Sequence, residues 1–295
     1  MNYATSYPPG EQGVSRSGRR RNIFPAGKLA ISLLLFILAL GVSFPFVWMI
    51  RTSFMLPTDA LKFPPLWVPP TFTLQNYRNA LTIQPFARYL LNSVFISTVV
   101  VFAQLLTASM GAYAFARLKF PGREPLFLLY LATMMIPFQV TLIPLFVMVA
   151  KVGWVDTYAA VIVPAIASAY LTFLLRQFFM SIPRELEDAA RIDGASYFRI
   201  YATIILPLSK PALASCGLLS FMGSWTNFLW PLIVIRTREL RPVPLGLAAL
   251  QQEQGYTDFP QLMAGSVMAL LPIMIVFVFL QRYFVQGIAL TGLKG

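Results

Sequence analysis

The chain has 295 residues, of which 57% are hydrophobic and only 12% are charged, and its formal net charge is +12. Soluble globular chains carry about 25% charged residues, so this composition indicates a polytopic membrane protein and excludes an ordinary soluble domain. The absence of histidine excludes histidine-based acid–base catalysis and the common histidine-containing zinc sites. The single cysteine, Cys216, cannot form an internal disulfide, and its apolar surroundings predict a small buried side chain.

The N-terminal region is polar up to residue 27 and is predicted to be a disordered, basic tail. Arg19, Arg20 and Arg21 precede an apolar run, as arginines do in export signals. However, residues 29–50 are long enough to span a bilayer, at about 33 Å of helix, and no small-residue cleavage site follows them. We therefore expect an uncleaved first span.

Five further apolar segments follow, separated by polar or proline-rich loops. Residues 51–87 contain six prolines, a density that forbids a long helix. Residues 117–123 form a short basic loop with a Pro-Gly turn, and residues 236–260 form a second long loop. The pattern predicts an all-α protein with six transmembrane helices, over about 29–50, 89–116, 125–150, 157–175, 211–235 and 262–280.

The distribution of positive charge predicts the orientation of these spans. Most of the 23 Lys and Arg residues lie in the N-terminal tail, in 117–123, between residues 176 and 210, and in the C-terminal tail. Six spans put these four segments on one side of the membrane. Because cytoplasmic loops carry an excess of Lys and Arg, we expect both termini and the 176–210 segment to be cytoplasmic in a bacterial-type plasma or inner membrane.

The longest ordered polar interruption lies between the fourth and fifth predicted spans. Ser181 and Pro183 fit an N-cap and a first helical turn, and Gly194 fits a helix stop, so we expect a short helix over 183–194. The pattern alone leaves open a solvated helix that only connects two spans. One face of this helix is nearly flat, because it is formed by Leu186, Ala189, Ala190 and Asp193.

The same segment resembles the EAA motif of binding-protein-dependent ABC importers. The string from Pro183 to Ala195 is similar to the MalG-like permease subunits of carbohydrate importers, although Asp188 stands where the motif usually has Glu. The resemblance covers about residues 30–295 and implies a type I ABC importer permease fold over 28–295. The residues that match the spacing of the EAA motif are Asp188, Ala189, Ala190, Gly194, Ile204, Leu206 and Pro207.

In this family the segment is a coupling helix, which sits in a cleft of a cytoplasmic ATPase and moves as a rigid body when the ATPase dimer closes. We expect the alanines to permit close approach, and Asp188 to pair with a cation of the ATPase. Glu187 and Arg191 are spaced as an i, i+4 ion pair, worth a few tenths of a kcal/mol. The resemblance assigns ATPase coupling to Glu185, Leu186, Glu187, Asp188, Ala189, Ala190, Arg191, Asp193 and Gly194.

The sequence shows no energy source of its own. No Asp, Glu, Lys or Arg lies in the middle of a predicted span, which argues against a proton- or ion-driven carrier. No Gly-x-x-x-x-Gly-Lys-Ser/Thr phosphate loop occurs, so ATP binding by that route is excluded. We expect a transport subunit that is not an enzyme and binds no cofactor or metal, with ATP and Mg²⁺ used by a partner. The resemblance implies a second, MalF-like permease, two copies of the ATPase, an external solute-binding protein and membrane lipid as partners, and no nucleic acid.

Polar and aromatic residues within the predicted spans are candidates for a substrate path. Sugars bind through amide hydrogen bonds and aromatic stacking, but such side chains also hydrogen-bond between membrane helices. The candidates are Gln104, Gln139, Thr141, Tyr170, Trp225, Asn227 and Trp230. The resemblance further assigns contact with the binding protein to a loop that contains Leu245, Gly246, Gln251, Gln252, Gly255 and Tyr256.

These features predict a permease subunit that forms half of the translocation path for a sugar or oligosaccharide in an ATP-driven importer. An importer for glycerol-3-phosphate or another polyol is the alternative, because related permeases share these motifs and Arg236, Arg238 and Arg241 could favour an anion. A passive channel and a membrane enzyme are the alternatives from other classes. The lack of clustered catalytic or metal-ligating residues disfavours the enzyme.

Overall fold

The computed structural model describes the backbone of residues 25–252 and 258–292, and the side chains of residues 27–251 and 258–282. All regular structure in these ranges is helical, which confirms the predicted all-α fold. The chain divides into two units, one ending at Val47 and the other starting at Trp48. Most of the predicted basic tail, residues 1–24, lies outside the described residues.

The helices differ widely in length. In chain order they are α1 (Pro25–Ser53), α2 (Pro57–Ala60), α3 (Gln75–Ile83), α4 (Phe86–Arg117), α5 (Arg123–Ala132), α6 (Phe138–Lys151), α7 (Tyr158–Ile162), α8 (Ala169–Ser181), α9 (Glu185–Ile192), α10 (Tyr197–Ile200), α11 (Leu206–Leu208), α12 (Lys210–Trp225), α13 (Leu229–Val234), α14 (Val243–Gln252) and α15 (Phe259–Gly292). A π-helix, Tyr201–Ile205, joins α10 to α11, and 3₁₀ turns cover Thr133–Met135, Val163–Ala165 and Arg238–Leu240.

Several of these helices are long and apolar enough to cross a membrane. In the described part of the chain, four single stretches meet this condition: Gly27–Ser53, Phe86–Arg117, Tyr158–Ser181 and Phe259–Arg282. Two helix pairs meet it together but are bent, Arg123–Met135 with Phe138–Lys151 by 96° and Tyr197–Leu208 with Lys210–Trp225 by 80°. Counting each bent pair as one span gives up to six, the number expected from the sequence.

Prolines explain why two of the expected spans are broken. Ile136 is extended, with ψ 115°, because the residue before a proline is disfavoured in the helical region, and the chain bends there at Pro137. The expected span 211–235 is not one helix, since α12 ends at Trp225 and α13 is a separate segment. Pro231 lies within α13, and its ring would clash with the carbonyl four residues earlier if the two helices were continuous.

The helix α4 is central to the packing of the second unit. Its residues Ala108 and Ala112 are buried in one core cluster with side chains of α8. A Cβ added at Gly111 would lie 3.4 Å from Cγ2 of Thr172 on α8, so the two backbones approach closely. Small residues are the usual means by which membrane helices pack. Cys216 is buried in the same cluster, as its apolar surroundings predict.

At the end of the second unit opposite α9, Asp156 holds two loops together. Its backbone has a left-handed φ of 64°, a conformation that Asp tolerates better than most residues. Its Oδ1 accepts hydrogen bonds from the backbone N–H groups of Arg236 and Thr237, both at 2.8 Å, and its Oδ2 accepts one from the Thr237 hydroxyl at 2.5 Å. These hydrogen bonds, led by that of the Thr237 hydroxyl, hold the pKa of the Asp156 carboxyl below its ordinary value.

The contact between α14 and α4 depends on a glycine. A Cβ added at Gly246 would lie 2.2 Å from Cδ2 of Tyr89, whose side chain is fully buried, whereas a Cβ added at Gly223 meets no atom within 4 Å. We predict that Gly246→Ala destabilises the protein by about 1–3 kcal/mol through overpacking. The matched control Gly223→Ala should be neutral or slightly stabilising, because Ala favours a helix interior over Gly. Thermal unfolding in detergent checks this, and equal midpoints for both variants would contradict it.

Candidate functional site

The helix expected over 183–194 is present as α9, Glu185–Ile192, and it begins later than the sequence suggested. Ser181 is not its N-cap, since this residue ends α8 and its hydroxyl donates to the carbonyl of Phe178 at 2.7 Å. Pro183 does not lie in its first turn either. Pro183 instead favours an extended conformation, ψ 133°, at the preceding Ile182, and this ends α8 at Ser181.

The C-terminal end of α9 is a sharp turn, as the glycine predicts. Gly194 has a left-handed φ of 78°, and the N–H of Ala195 donates to the carbonyl of Ala190 at 2.9 Å. Ser196 then caps α10 by accepting a hydrogen bond from the N–H of Arg199 at 3.3 Å. The π-helix and α11 follow, and α12 begins at Lys210, so only a short, largely helical segment separates α9 from a helix of a candidate membrane span.

The exposed face of α9 is broader than the flat face expected from the sequence. Ala190 is half-buried against the core cluster, and Glu187 is buried. Ile192 is 87% exposed, an unusual position for an isoleucine, and the sequence analysis did not assign it to the site. Ile192 follows Ala189 by three residues, so the sequence could have placed it on the same helix face. The exposed residues are Glu185, Leu186, Asp188, Ala189, Arg191, Ile192, Asp193 and Gly194.

Glu187 points inward and forms an ion pair with Arg117, the last residue of α4. Arg117 Nε lies 2.9 Å from Glu187 Oε1, and the two side chains are only 4% and 12% exposed. The contact is ionic rather than a well-aligned hydrogen bond. Arg117 Nη2 also donates to the carbonyl oxygen of Ile182, at 2.5 Å, and to that of Phe179. One guanidinium therefore joins the end of α4, the end of α8 and α9.

The electrostatics of this contact are set by burial. Desolvation raises the pKa of the Glu187 carboxyl above its ordinary value, and the positive charge of Arg117 opposes this rise. The expected pair with Arg191 is not formed, because Arg191 donates to the Tyr197 hydroxyl and its guanidinium carbon lies 4.6 Å from the centre of that ring. The sequence analysis missed Arg117 because the two partners are far apart in the chain.

A second feature is an open cavity of about 340 Å³ beside the middle of α4, lined by residues of α4, α7, α8 and α12. Ligand pockets occupy roughly 300–1,000 Å³. The cavity brings together three of the seven predicted path residues, Gln104, Tyr170 and Asn227. Ser220, Ser224 and Asn227 are spaced i, i+4, i+7, and this helical spacing could have indicated the part of the lining that α12 and the residues after it provide. Its lining side chains carry no charge, and its further hydroxyl groups belong to Ser168, Ser220 and Ser224.

The cavity lies where helices are interrupted, and α4 satisfies the freed backbone groups. Gln104 Nε2 donates to the carbonyl of Ala165 at 2.6 Å, and Thr107 donates to that of Ile166 at 2.7 Å. Gln104 Oε1 accepts from the Ser220 hydroxyl at 2.7 Å. Non-helical backbone at membrane depth is tolerated only where protein or a water-filled cavity satisfies it. The amide of Gln104 therefore has a structural role in joining three segments.

Other lining side chains keep their polar groups available. Within the described part of the chain, the side chains of Tyr170, Ser224 and Asn227 make no hydrogen bond to protein. Tyr170 is 46% exposed and lies at the first turn of α8. The polar groups of these three side chains therefore remain available for contacts within the cavity.

The two tryptophans proposed for the path have structural positions instead. Trp225 and Trp230 are each 3% exposed. The indole N–H of Trp225 donates to the carbonyl of Ala269 at 3.2 Å, and that of Trp230 donates to Ala160 at 2.8 Å. Their rings and N–H groups are satisfied within the protein, so neither faces the cavity.

Gln139 and Thr141 also lie outside the cavity. Both are exposed on α6, and the hydroxyl of Thr141 donates to the carbonyl of Phe138 in its own helix at 2.9 Å. The sequence places both within an apolar segment, but the helix that carries them is bent by 96° from the preceding helix pair and does not line this cavity.

The predicted contact loop for a binding protein falls largely on α14. Leu245 and Gly246 are buried against neighbouring helices, so their burial does not support a surface contact. Gln251 is exposed near the end of the helix. Gln252 ends α14, and its side chain is not described. The remaining two, Gly255 and Tyr256, lie outside the described residues.

The described residues thus combine up to six candidate spans, a helix held at one end of them by an ion pair and an uncharged cavity, an arrangement that suits a transport permease. Residues 104–290 match the family described as "Binding-protein-dependent transport system inner membrane component". The chain belongs to this family and is a multi-pass membrane permease subunit of an ABC importer.

Individual relatives agree with this assignment. The chain is 42% identical to the arabinooligosaccharides transport system permease protein AraQ of Halalkalibacterium halodurans, over 85% of this chain and 91% of that protein. It is 32% identical to the sn-glycerol-3-phosphate transport system permease protein UgpE of Brucella abortus, over 90% and 98%. A crystal structure of a bacterial ABC transporter involved in import of the acidic polysaccharide alginate matches with a TM-score of 0.77 at 25% identity, covering 93% of this chain and 100% of that one.

The Arg117 contact predicts how firmly α9 is held. We expect Arg117→Gln to increase amide hydrogen exchange in residues 185–192 by about tenfold or more, because removing one partner of a buried ion pair leaves the other uncompensated. The double variant Arg117→Gln/Glu187→Gln should recover part of this loss, since the lone buried carboxylate is then absent.

The matched control is Arg191→Gln, which removes an exposed cation close to the same carboxylate. Exposed ion pairs contribute little to stability, so we expect amide hydrogen exchange in residues 185–192 to change by less than about threefold. Equal effects of the Arg117 and Arg191 variants would contradict the proposed clamp.

Proposed function

We propose that this permease forms half of the translocation path for a neutral sugar or oligosaccharide in an ATP-driven importer. The observation that carries the proposal is the uncharged, hydroxyl- and amide-lined cavity beside α4. Polyhydroxylated solutes exchange water for hydrogen bonds with such groups, whereas a phosphate in the same place would need a cation. The relatives named for arabinooligosaccharides support the same class of solute.

The proposed solute contacts are Tyr170, Ser224 and Asn227. A phenol ring offers a stacking face and a hydroxyl, and an amide offers both donors and an acceptor. The cavity is too small to enclose a long oligosaccharide in this chain alone. A second, MalF-like permease would complete the path, and an external solute-binding protein would deliver the solute at the membrane face away from α9.

The proposed input of energy is at α9. Its exposed face combines Leu186, Ala189 and Ile192 with three carboxylates, and this mixture suits a cleft that is apolar in the middle and basic at its rim. Two copies of a cytoplasmic ATPase, using ATP and Mg²⁺, would provide that cleft for the two permeases. With α9 and both termini in the cytoplasm, closure of the ATPase dimer would move α9, and the turn at Gly194 would pass this movement to α12.

The solute assignment is tested by uptake. In proteoliposomes that contain the whole importer, we expect Asn227→Ala to lower the initial uptake rate of labelled arabinooligosaccharide by about fivefold at saturating binding protein, the typical effect of losing one hydrogen bond. Thr141→Ala is the matched control, because Thr141 bonds only within its own helix and lies outside the cavity. Unchanged uptake in Asn227→Ala, with transport otherwise intact, would remove this residue from the path.

One observation favours the second candidate, an importer of glycerol-3-phosphate. Arg236 and Arg241 line a separate cavity of about 330 Å³ next to α14. This cavity lies at the end of the second unit opposite α9. The relative UgpE is named for that anion. Uptake of labelled glycerol-3-phosphate, measured in the same proteoliposomes, decides between the two: faster uptake of the anion than of the oligosaccharide would overturn the neutral-sugar proposal.

The docking assignment has a separate test. We expect Ile192→Glu and Ala189→Trp each to reduce co-purification of the ATPase by about tenfold or more, because a charge or a bulky ring at the centre of an interface disrupts its packing. The control is Leu81→Glu, which introduces the same charge at an exposed apolar residue of α3. Full retention of the ATPase by both α9 variants would contradict docking at this face.

A further inference from the structure

A basic pocket lies beside α9, at the junction of α4 and α5. Its volume is about 540 Å³. Four of its lining residues are cations and one is an acid, so the lining carries an excess of positive charge. The charged members are Arg117, Lys119, Arg123, Arg184 and Glu124, and Phe120 adds an apolar edge.

Part of this charge is used within the protein. Arg117 pairs with Glu187. Arg123 Nη2 lies 2.8 Å from Glu124 Oε1, and the other oxygen of Glu124 lies 3.1 Å from Arg176. The two acids near the pocket are therefore shared among three arginines.

The remaining two cations have no such partner. Lys119 and Arg184 are exposed, and in the described part of the chain neither lies within salt-bridge distance of a carboxylate. Arg184 acts on Glu187 only through its longer-range field. Uncompensated cations that line one pocket attract an anion with several acceptor oxygens.

The N-terminus of α5 adds to this field. Gly122 precedes the ten-residue helix with a left-handed φ of 76°, and Gly122 and Pro125 both line the pocket. The positive end of the helix dipole is therefore directed at the same space as the cations. The backbone and the side chains favour the same kind of ligand.

The surroundings indicate what carries the anion. The pocket lies at the ends of two candidate membrane spans, α4 and the bent α5–α6 pair. Away from the pocket, α5 exposes Leu126, Leu128 and Leu129, at 51%, 65% and 67%. A headgroup in the pocket would thus have acyl chains along an apolar helix face, an arrangement that a free phosphate ion would leave unused.

We propose that this pocket binds the phosphate headgroup of an anionic membrane phospholipid, with its acyl chains along α5. Basic pockets between membrane helices are known sites for such headgroups. Because Arg117 and Arg184 flank α9, the bound lipid would stabilise the junction at which α9 is clamped. The site concerns the chain by itself and does not depend on which solute is transported.

The test uses the purified full-length chain in nanodiscs of phosphatidylcholine, with and without added phosphatidylglycerol. We expect phosphatidylglycerol to raise the thermal midpoint and to remain bound in native mass spectrometry. Each cation near an anionic surface strengthens binding by about fivefold. The double variant Lys119→Gln/Arg184→Gln should therefore weaken the retention of phosphatidylglycerol by about 25-fold. This variant leaves the ion pairs of Arg117 and Arg123 intact, so we expect it to fold.

The matched control is Arg78→Gln/Arg88→Gln, which removes the same charge from two exposed arginines at the opposite end of α4. Equal retention of phosphatidylglycerol by the two double variants would overturn the proposal. Stabilisation by inorganic phosphate or by soluble glycerophosphoglycerol to the same extent as by the lipid would overturn it as well, in favour of a free-phosphate site. Unchanged retention of phosphatidylglycerol by Lys119→Gln/Arg184→Gln would likewise overturn the lipid site.

Discussion

The guanidinium of Arg117 is the contact on which the arrangement at the α9 end depends. Arg117 is the last residue of α4, and its guanidinium offers donors in a fixed geometry that meets two carbonyls at the end of α8 and the carboxylate of Glu187. A lysine would offer one ammonium nitrogen in place of this planar fork. The three helices therefore share one cation, which ties α9 to the ends of α4 and α8.

At the mid-depth cavity, too, a few polar side chains satisfy several groups from different helices. Interrupting helices inside a membrane exposes carbonyls, and α4 places Gln104 and Thr107 opposite the two carbonyls that the break before α8 frees. The side chains left over are Tyr170, Ser224 and Asn227. Structure and proposed solute binding are thus divided between neighbouring residues, and the amide and hydroxyl side chains of the lining give the cavity its polarity.

Charged side chains are distributed unevenly between the cavity and the α9 end of the second unit. The cavity is neutral, whereas the α9 end carries the buried Arg117 pair and the basic pocket beside it. A neutral interior lowers the cost of placing a hydrated solute at membrane depth, and a basic interface suits an anionic membrane surface. One chain therefore carries two different electrostatic environments, a neutral cavity beside the middle of α4 and a basic region beside α9.

The sequence by itself determined the all-α class, the number of apolar segments, the family and the short helix ending at Gly194, because hydrophobic runs and glycine turns act locally. It also found Gln104, Tyr170 and Asn227, whose polarity is conspicuous in apolar helices. Only the tertiary structure decided that Glu187 turns to Arg117 rather than to Arg191, that Trp225 and Trp230 are buried, and that Ile192 is exposed. These outcomes depend on the direction in which each helix faces after its proline bends, and that direction is set by packing between segments distant in the chain.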